Sequence, residues 1–171
     1  MSPGLEGSTV AAVESAVGPH NLPDSIRALS SLDGIDYADL FTLTAGADTE
    51  ATPEQWARAM LGDVPNAGER LIWRGFLGLR LSQGRSPDTV AGWRISGRGD
   101  GWLRLETASW FLSANLIVQV AGERVSIATL LRYDRPVGGL VWPPLSAVHR
   151  LLVPRMLRAA LAKTDRHVTR S

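Results

Sequence analysis

Between Asp88 and Asp134 the chain alternates short β-prone runs with connections too brief for anything but hairpins. Thr89–Ser96 leads through Gly97-Arg98-Gly99-Asp100-Gly101 to Trp102–Ser109, then Phe111–Val120, and across Gly122-Glu123 to Arg124–Tyr133. Strands joined this closely can pair only antiparallel, because a parallel neighbour needs a crossover of about a dozen residues or more. The segment therefore predicts a meander. Alternation of side chains assigns its faces: Ala114, Leu116, Val118 and Val120 share one, and Ser113, Asn115 and Gln119 the other. The same rule turns Trp93, Ile95, Leu103, Leu105, Ile127, Thr129, Leu131 and Tyr133 inward, and Arg94, Arg104, Glu106 and Arg132 outward.

A one-sided apolar sheet needs a cover. Pro143-Pro144 opens a helix running to about Lys163, in which His149, Val153, Met156, Leu157 and Ala160 fall on one face and Arg155, Arg158, Lys163 and Arg166 on another. This predicts an amphipathic helix laid on the sheet. Upstream, Asp36–Thr44 reads as the first strand. Thr52-Pro53-Glu54-Gln55 is a helix start with a capping box, followed by Trp56, Met60 and Leu61 on one face and an end near Gly62. A turn is expected over Asp63–Gly68, and the spacing of Leu71, Ile72, Phe76 and Leu79 favours a second helix through Leu81 over a strand. Pro23-Asp24-Ser25 opens a brief helix or turn, with Ile26, Leu29 and Leu32 packed on the domain. Residues 1–21 are small and polar without period and are expected to form a flexible tail. A single domain over 22–166 and a short tail over 167–171 complete the expected organisation.

Composition narrows the chemistry. The 171 residues contain no cysteine, which removes disulfides, cysteine zinc sites, thiolate nucleophiles and iron–sulfur clusters. Eighteen basic against 17 acidic residues leave a net charge of +1, too little for a nucleic-acid-binding domain. Lys163 is the lone lysine, so the abundance of arginine reflects coding bias before it reflects phosphate recognition. No apolar run reaches the roughly 20 residues of a membrane span, and the N-terminus lacks a signal peptide, so a cytoplasmic protein without stable membrane insertion is expected.

The order of strand, short helices, meander and long amphipathic C-terminal helix resembles the helix-grip fold of the START-like (SRPBCC) superfamily. That superfamily includes polyketide cyclases, aromatase-like proteins and lipid carriers. Residues 22–163 are most similar to an uncharacterised bacterial family within it. The resemblance is carried by Leu22-Pro23-Asp24-Ser25, Asp36-Tyr37-Ala38-Asp39, Thr52–Met60, Ile127–Arg132, His149-Arg150 and Val153–Leu157. It implies an α+β fold, with a curved antiparallel sheet wrapped around the C-terminal helix and a hydrophobic cavity between them. It implies no reaction and no cofactor.

The inward residues expected to line such a cavity are Trp93, Leu105, Leu116, Thr129, Leu131, Tyr133, His149, Val153 and Met156. An apolar face interrupted by a few polar groups is the usual composition of a small-molecule pocket, and the partner expected is an apolar, aromatic, lipid-like or polyketide-like molecule. His149 is either a structural histidine bonded to a backbone carbonyl, the commoner case, or a polar contact or general base for the ligand. His20 and His167 lie far from it in the pattern, so no metal site is expected. Arg98-Gly99-Asp100 reads as a strand-joining turn and not as a phosphate loop. Two further readings stay open: a cyclase or dehydratase in which His149 or Tyr133 moves a proton, and an interaction domain whose core is filled by its own side chains. A homodimer is open as well.

Overall fold

The computed structural model describes residues 11–62 and 71–168. The fold is α+β. Seven strands, β1 (Val13–Val17), β2 (Tyr37–Thr44), β3 (Thr89–Val90), β4 (Trp93–Gly99), β5 (Trp102–Ala108), β6 (Leu112–Ala121) and β7 (Arg124–Tyr133), form one antiparallel sheet. Their order is β1-β2-β7-β6-β5-β4-β3, so the meander is continuous from β3 to β7 and β2 closes onto β7. Among the described residues three α-helices accompany it: α1 (Asp24–Arg27), α2 (Pro53–Leu61) and the long α3 (Gly138–Val168). The open sheet curves around α3, and no helix among the described residues is long and apolar enough to cross a membrane.

Register explains how the two faces differ. Phe41 pairs with Ile127 and Ile127 with Val118, while Leu43 pairs with Val125 and Val125 with Val120. Because strand neighbours stay on the same side, these rows build the face that meets α2 and α3. The opposite face is not left to water. Ala38, Ile117, Ala128 and Leu130 on it are buried under Leu22 and Ile26, with Leu29, Leu32 and Ile35 packed alongside. The 22–35 segment is anchored by Asn115, whose Oδ1 accepts from the Ser31 amide at 2.8 Å, and by Arg104, whose Nη1 donates to the Leu29 carbonyl at 2.8 Å. Asn115 and Arg104 face outward from the main core as their alternation predicts, yet they are the ties that hold a second small core shut.

The capping box of α2 is present: the Gln55 amide donates to Thr52 Oγ1 at 3.2 Å, and the Thr52 amide to Gln55 Oε1 at 2.8 Å. The helix buries Trp56, Ala57, Met60 and Leu61 against β5, β6 and α3.

Four expectations are corrected. Within the expected tail over 1–21, Val13–Val17 is a strand in register with β2 from Val13↔Leu43 to Val17↔Asp39, and Arg158 of α3 donates to the Ala11 carbonyl at 3.1 Å. This strand is specified by backbone pairing with a distant partner and leaves little trace in side-chain period. The helix expected over Leu71–Leu81 is a π-helical turn over Leu71–Phe76 followed by extended chain, in which Leu77, Leu79 and Leu81 are buried alternately and the Arg80 amide donates to the Ala108 carbonyl at 3.0 Å. Thr89–Ser96 is not one strand: a turn at Ala91-Gly92, both at positive φ, folds β3 back on β4. Helix α3 starts at Gly138, five residues ahead of Pro143, and extends to Val168, beyond the expected Lys163. The turn expected over Asp63–Gly68 and residues 1–10 and 169–171 of the tails lie outside the described residues.

The 97–101 turn has a reason beyond chain reversal. Only Gly101 among its glycines has positive φ. Gly97 and Gly99 are strand residues over which the Trp102 indole lies, and a Cβ at Gly99 would fall 2.1 Å from Trp102 Nε1.

Candidate functional site

Between the sheet and α3 lies a cavity of about 500 Å³. Its floor is Leu112, Ala114 and Leu116 of β6 with Ile127, Thr129 and Leu131 of β7; Trp93 closes one side, and Trp142, His149, Val153 and Met156 of α3 form the roof. Met60 and Leu61 of α2 and Trp73, Leu77 and Leu79 complete the wall. Ala114 of β6 presents only a methyl group to this space, and Trp73 and Trp93 in its wall meet edge-to-face at 5.7 Å between ring centres. Val148, Leu152, Arg155, Ala159 and Lys163, spaced along one side of α3, also border the cavity, and all five are exposed.

Of the residues that the sequence nominates, Trp93, Leu116, Thr129, Leu131, His149, Val153 and Met156 line this cavity. Leu105 and Tyr133 do not. Leu105 is fully buried in the core that contains Trp56, Met60 and Leu61, below the part of the sheet covered by α2. Tyr133 lies under the first turn of α3, so close that a Cβ on Gly138 would fall 2.9 Å from its Cδ1.

On the β2 side of the cavity is a polar cluster. Alternation puts Tyr37 and Asp39 on the same face as Phe41 and Leu43, and register sets Asp39 directly beside Thr129, which in turn neighbours Leu116. His149 reaches down from α3 onto this row: its Nε2 is 2.9 Å from Asp39 Oδ2 and 3.2 Å from Thr129 Oγ1. The Tyr37 hydroxyl donates to the same Oδ2 at 2.6 Å. Trp142 clamps the group, with its ring centre 5.4 Å from the imidazole and 5.3 Å from the Tyr37 ring.

Asp39 is 1% exposed, and its Oδ1 is buried without a hydrogen-bond partner among the described residues. A carboxylate in that setting is tolerable only with charged or strong donors against it, and Tyr37 and His149 supply them. Burial, and then the neighbouring Asp39 carboxylate, push the Tyr37 hydroxyl far above the usual phenol range, so it remains a donor. Since Nε2 faces a carboxylate oxygen, it carries the proton in the neutral imidazole and the lone pair falls on Nδ1. No described residue is a hydrogen-bond partner of Nδ1, and the His149 side chain is 20% exposed. The Nε2–H is also within reach of Thr129 Oγ1, which leaves the threonine hydroxyl proton available to another acceptor.

Asp39 and Tyr37 are the members that residue-by-residue reading passes over. Their signal is in DYADLFTLT: once Phe41 and Leu43 point inward, period two places an aspartate on the apolar face. His149 correspondingly bonds a side-chain carboxylate and not a backbone carbonyl. Among the described residues no group of three histidine or acidic side chains could hold a metal ion.

A second hollow of about 410 Å³ lies on the other face of the sheet, bordered by Ser31, Arg80, Arg94, Glu106, Asn115 and Arg132. Its charges largely answer one another: Arg94 is paired with Glu106, and Arg132 Nε is 2.7 Å from Asp134. Of the two, the cavity under α3 has the apolar interior with convergent polar groups. Compared with known proteins, the chain matches no family model, no curated protein and no solved structure.

Proposed function

We propose that this is a START-like helix-grip domain that binds an apolar small molecule carrying a hydrogen-bond acceptor in the cavity beneath α3. The observation that carries the reading is the cavity of about 500 Å³ whose apolar walls are broken beside β2 by Thr129 and His149. That volume lies within the range of about 300–1,000 Å³ common to ligand pockets, which likewise combine apolar walls with a few oriented polar groups. The succession of β2, α2, meander and α3, and the position of α3 across the concave side, support the relationship to the helix-grip group.

Two bicyclic probes of nearly equal shape test it, 2-tetralone and its parent hydrocarbon tetralin. Trp73, Trp93 and Trp142 in the wall report occupancy through their fluorescence. Both probes should bind saturably, and the ketone about five- to tenfold more tightly, the worth of one net hydrogen bond. Failure of both to bind would reject the reading, and equal affinity would reject the polar anchor.

A further inference from the structure

We infer that His149 is a general base, held by Asp39, that removes a proton from carbon next to a carbonyl group of the bound molecule. The inference rests on the binding reading above and adds a reaction to it. Three features of the site converge on this chemistry. The imidazole borders a cavity with apolar walls, where a bound apolar molecule would sit against it. Its Nε2–H is fixed on a buried carboxylate, so the basic lone pair on Nδ1 has no competing partner among the described residues. Thr129 Oγ1, 3.2 Å from Nε2, retains a hydroxyl proton to direct at a carbonyl oxygen beside the base.

The step balances without any co-reactant. Nδ1 accepts the proton, the C–H electron pair becomes the new carbon–carbon double bond, and the carbonyl π pair moves to oxygen, where the Thr129 hydroxyl meets the enolate. Return of that proton from Nδ1 to a conjugated carbon gives isomerisation, and return to the same carbon of a solvent proton that has replaced it on the imidazole gives exchange. Asp39 touches no reacting atom. It is a positioning residue that fixes the tautomer and stabilises the imidazolium, and Tyr37 and Trp142 hold the pair in place. The substrate class is an apolar ketone or related carbonyl compound with acidic hydrogens beside the carbonyl.

The test is hydrogen–deuterium exchange at the carbons flanking the 2-tetralone carbonyl, followed by proton NMR in D2O with the full chain. Wild type should accelerate exchange saturably above buffer containing an equal concentration of imidazole. His149→Gln should lower the rate at saturation by about 10²-fold or more, the scale of a lost general base. Asp39→Asn keeps volume and an acceptor oxygen, and should lower that rate at least about tenfold while changing the dissociation constant less than about twofold. That split between rate and binding is not the mark of a merely structural role. If His149→Gln does not fold, Thr129→Val serves in its place, with an expected loss of about tenfold or more in rate. Binding without accelerated exchange would overturn the inference and leave the binding reading standing. Absence of binding would overturn both.

Discussion

Asp39 and His149 stabilise each other more than either stabilises the fold. Truncating one partner of a buried hydrogen bond to a carboxylate costs about 1–3 kcal/mol, because the other is left buried and unanswered. His149→Leu should therefore lower the unfolding free energy by about that amount in urea titrations, and Asp39→Leu added to it should restore a large part of the loss. Additive losses would mean that the two groups do not interact as placed. The same surroundings govern the two tyrosines, both raised above their ordinary value: Tyr37 by burial and Asp39, Tyr133 by burial and Asp36. A group whose folded pKa is raised gives stability that is complete below the unfolded pKa and drains away as pH climbs past it. Ultraviolet titration should accordingly show less than half of the tyrosine ionised at about pH 10, where a free phenol is half ionised, and stability should fall from there upward. A reversible tyrosinate step near pH 10 in the folded protein would contradict this environment.

Elements differ in how plainly their sequences announce them. The capping box of α2, the alternation of β5 to β7 and the His149-Val153-Leu157-Ala160 stripe of α3 are local patterns, and each is found where its period places it. Strand β1 and the extended Leu77–Leu81 segment are specified by what they lie against, so helical spacing of leucines misled where the chain in fact packs every second one. The alternation that sorts β6 also places Asp39 on the inner face of β2, two residues before Phe41. A consequence for β1 follows from its full-length pairing with β2 and the Arg158 bond to Ala11. Deleting residues 1–18 removes these along with half-buried Val13 and Val17, and should cost about 2 kcal/mol in chemical denaturation. An unchanged midpoint would show that the strand contributes nothing. At the β4–β5 hairpin, Gly99→Ala should cost about 1–3 kcal/mol, since its methyl would collide with the Trp102 indole; a loss near zero in the same titration would place that ring elsewhere.

Across the whole molecule, both faces of the sheet carry a packed apolar cluster, and the apolar cavity lies on the concave side. Ile26, Ile117 and Leu130 close-pack the outer side, while α2 fills the concave side over Leu105 and leaves open the stretch under His149 to Met156. The meander and the helix that covers it were legible from connection lengths and period. The cavity was legible only as a list of inward residues, because where α2 ends and a void begins depends on the distance between elements, which no periodicity encodes. The most direct test is Met156→Trp, assayed for stability and for 2-tetralone binding in one set of calorimetric titrations. With the cavity open, the larger ring fills space, changes stability by less than about 1 kcal/mol and abolishes the single binding event seen in wild type. Overpacking strain of about 1–3 kcal/mol, with no wild-type binding to lose, would contradict the account.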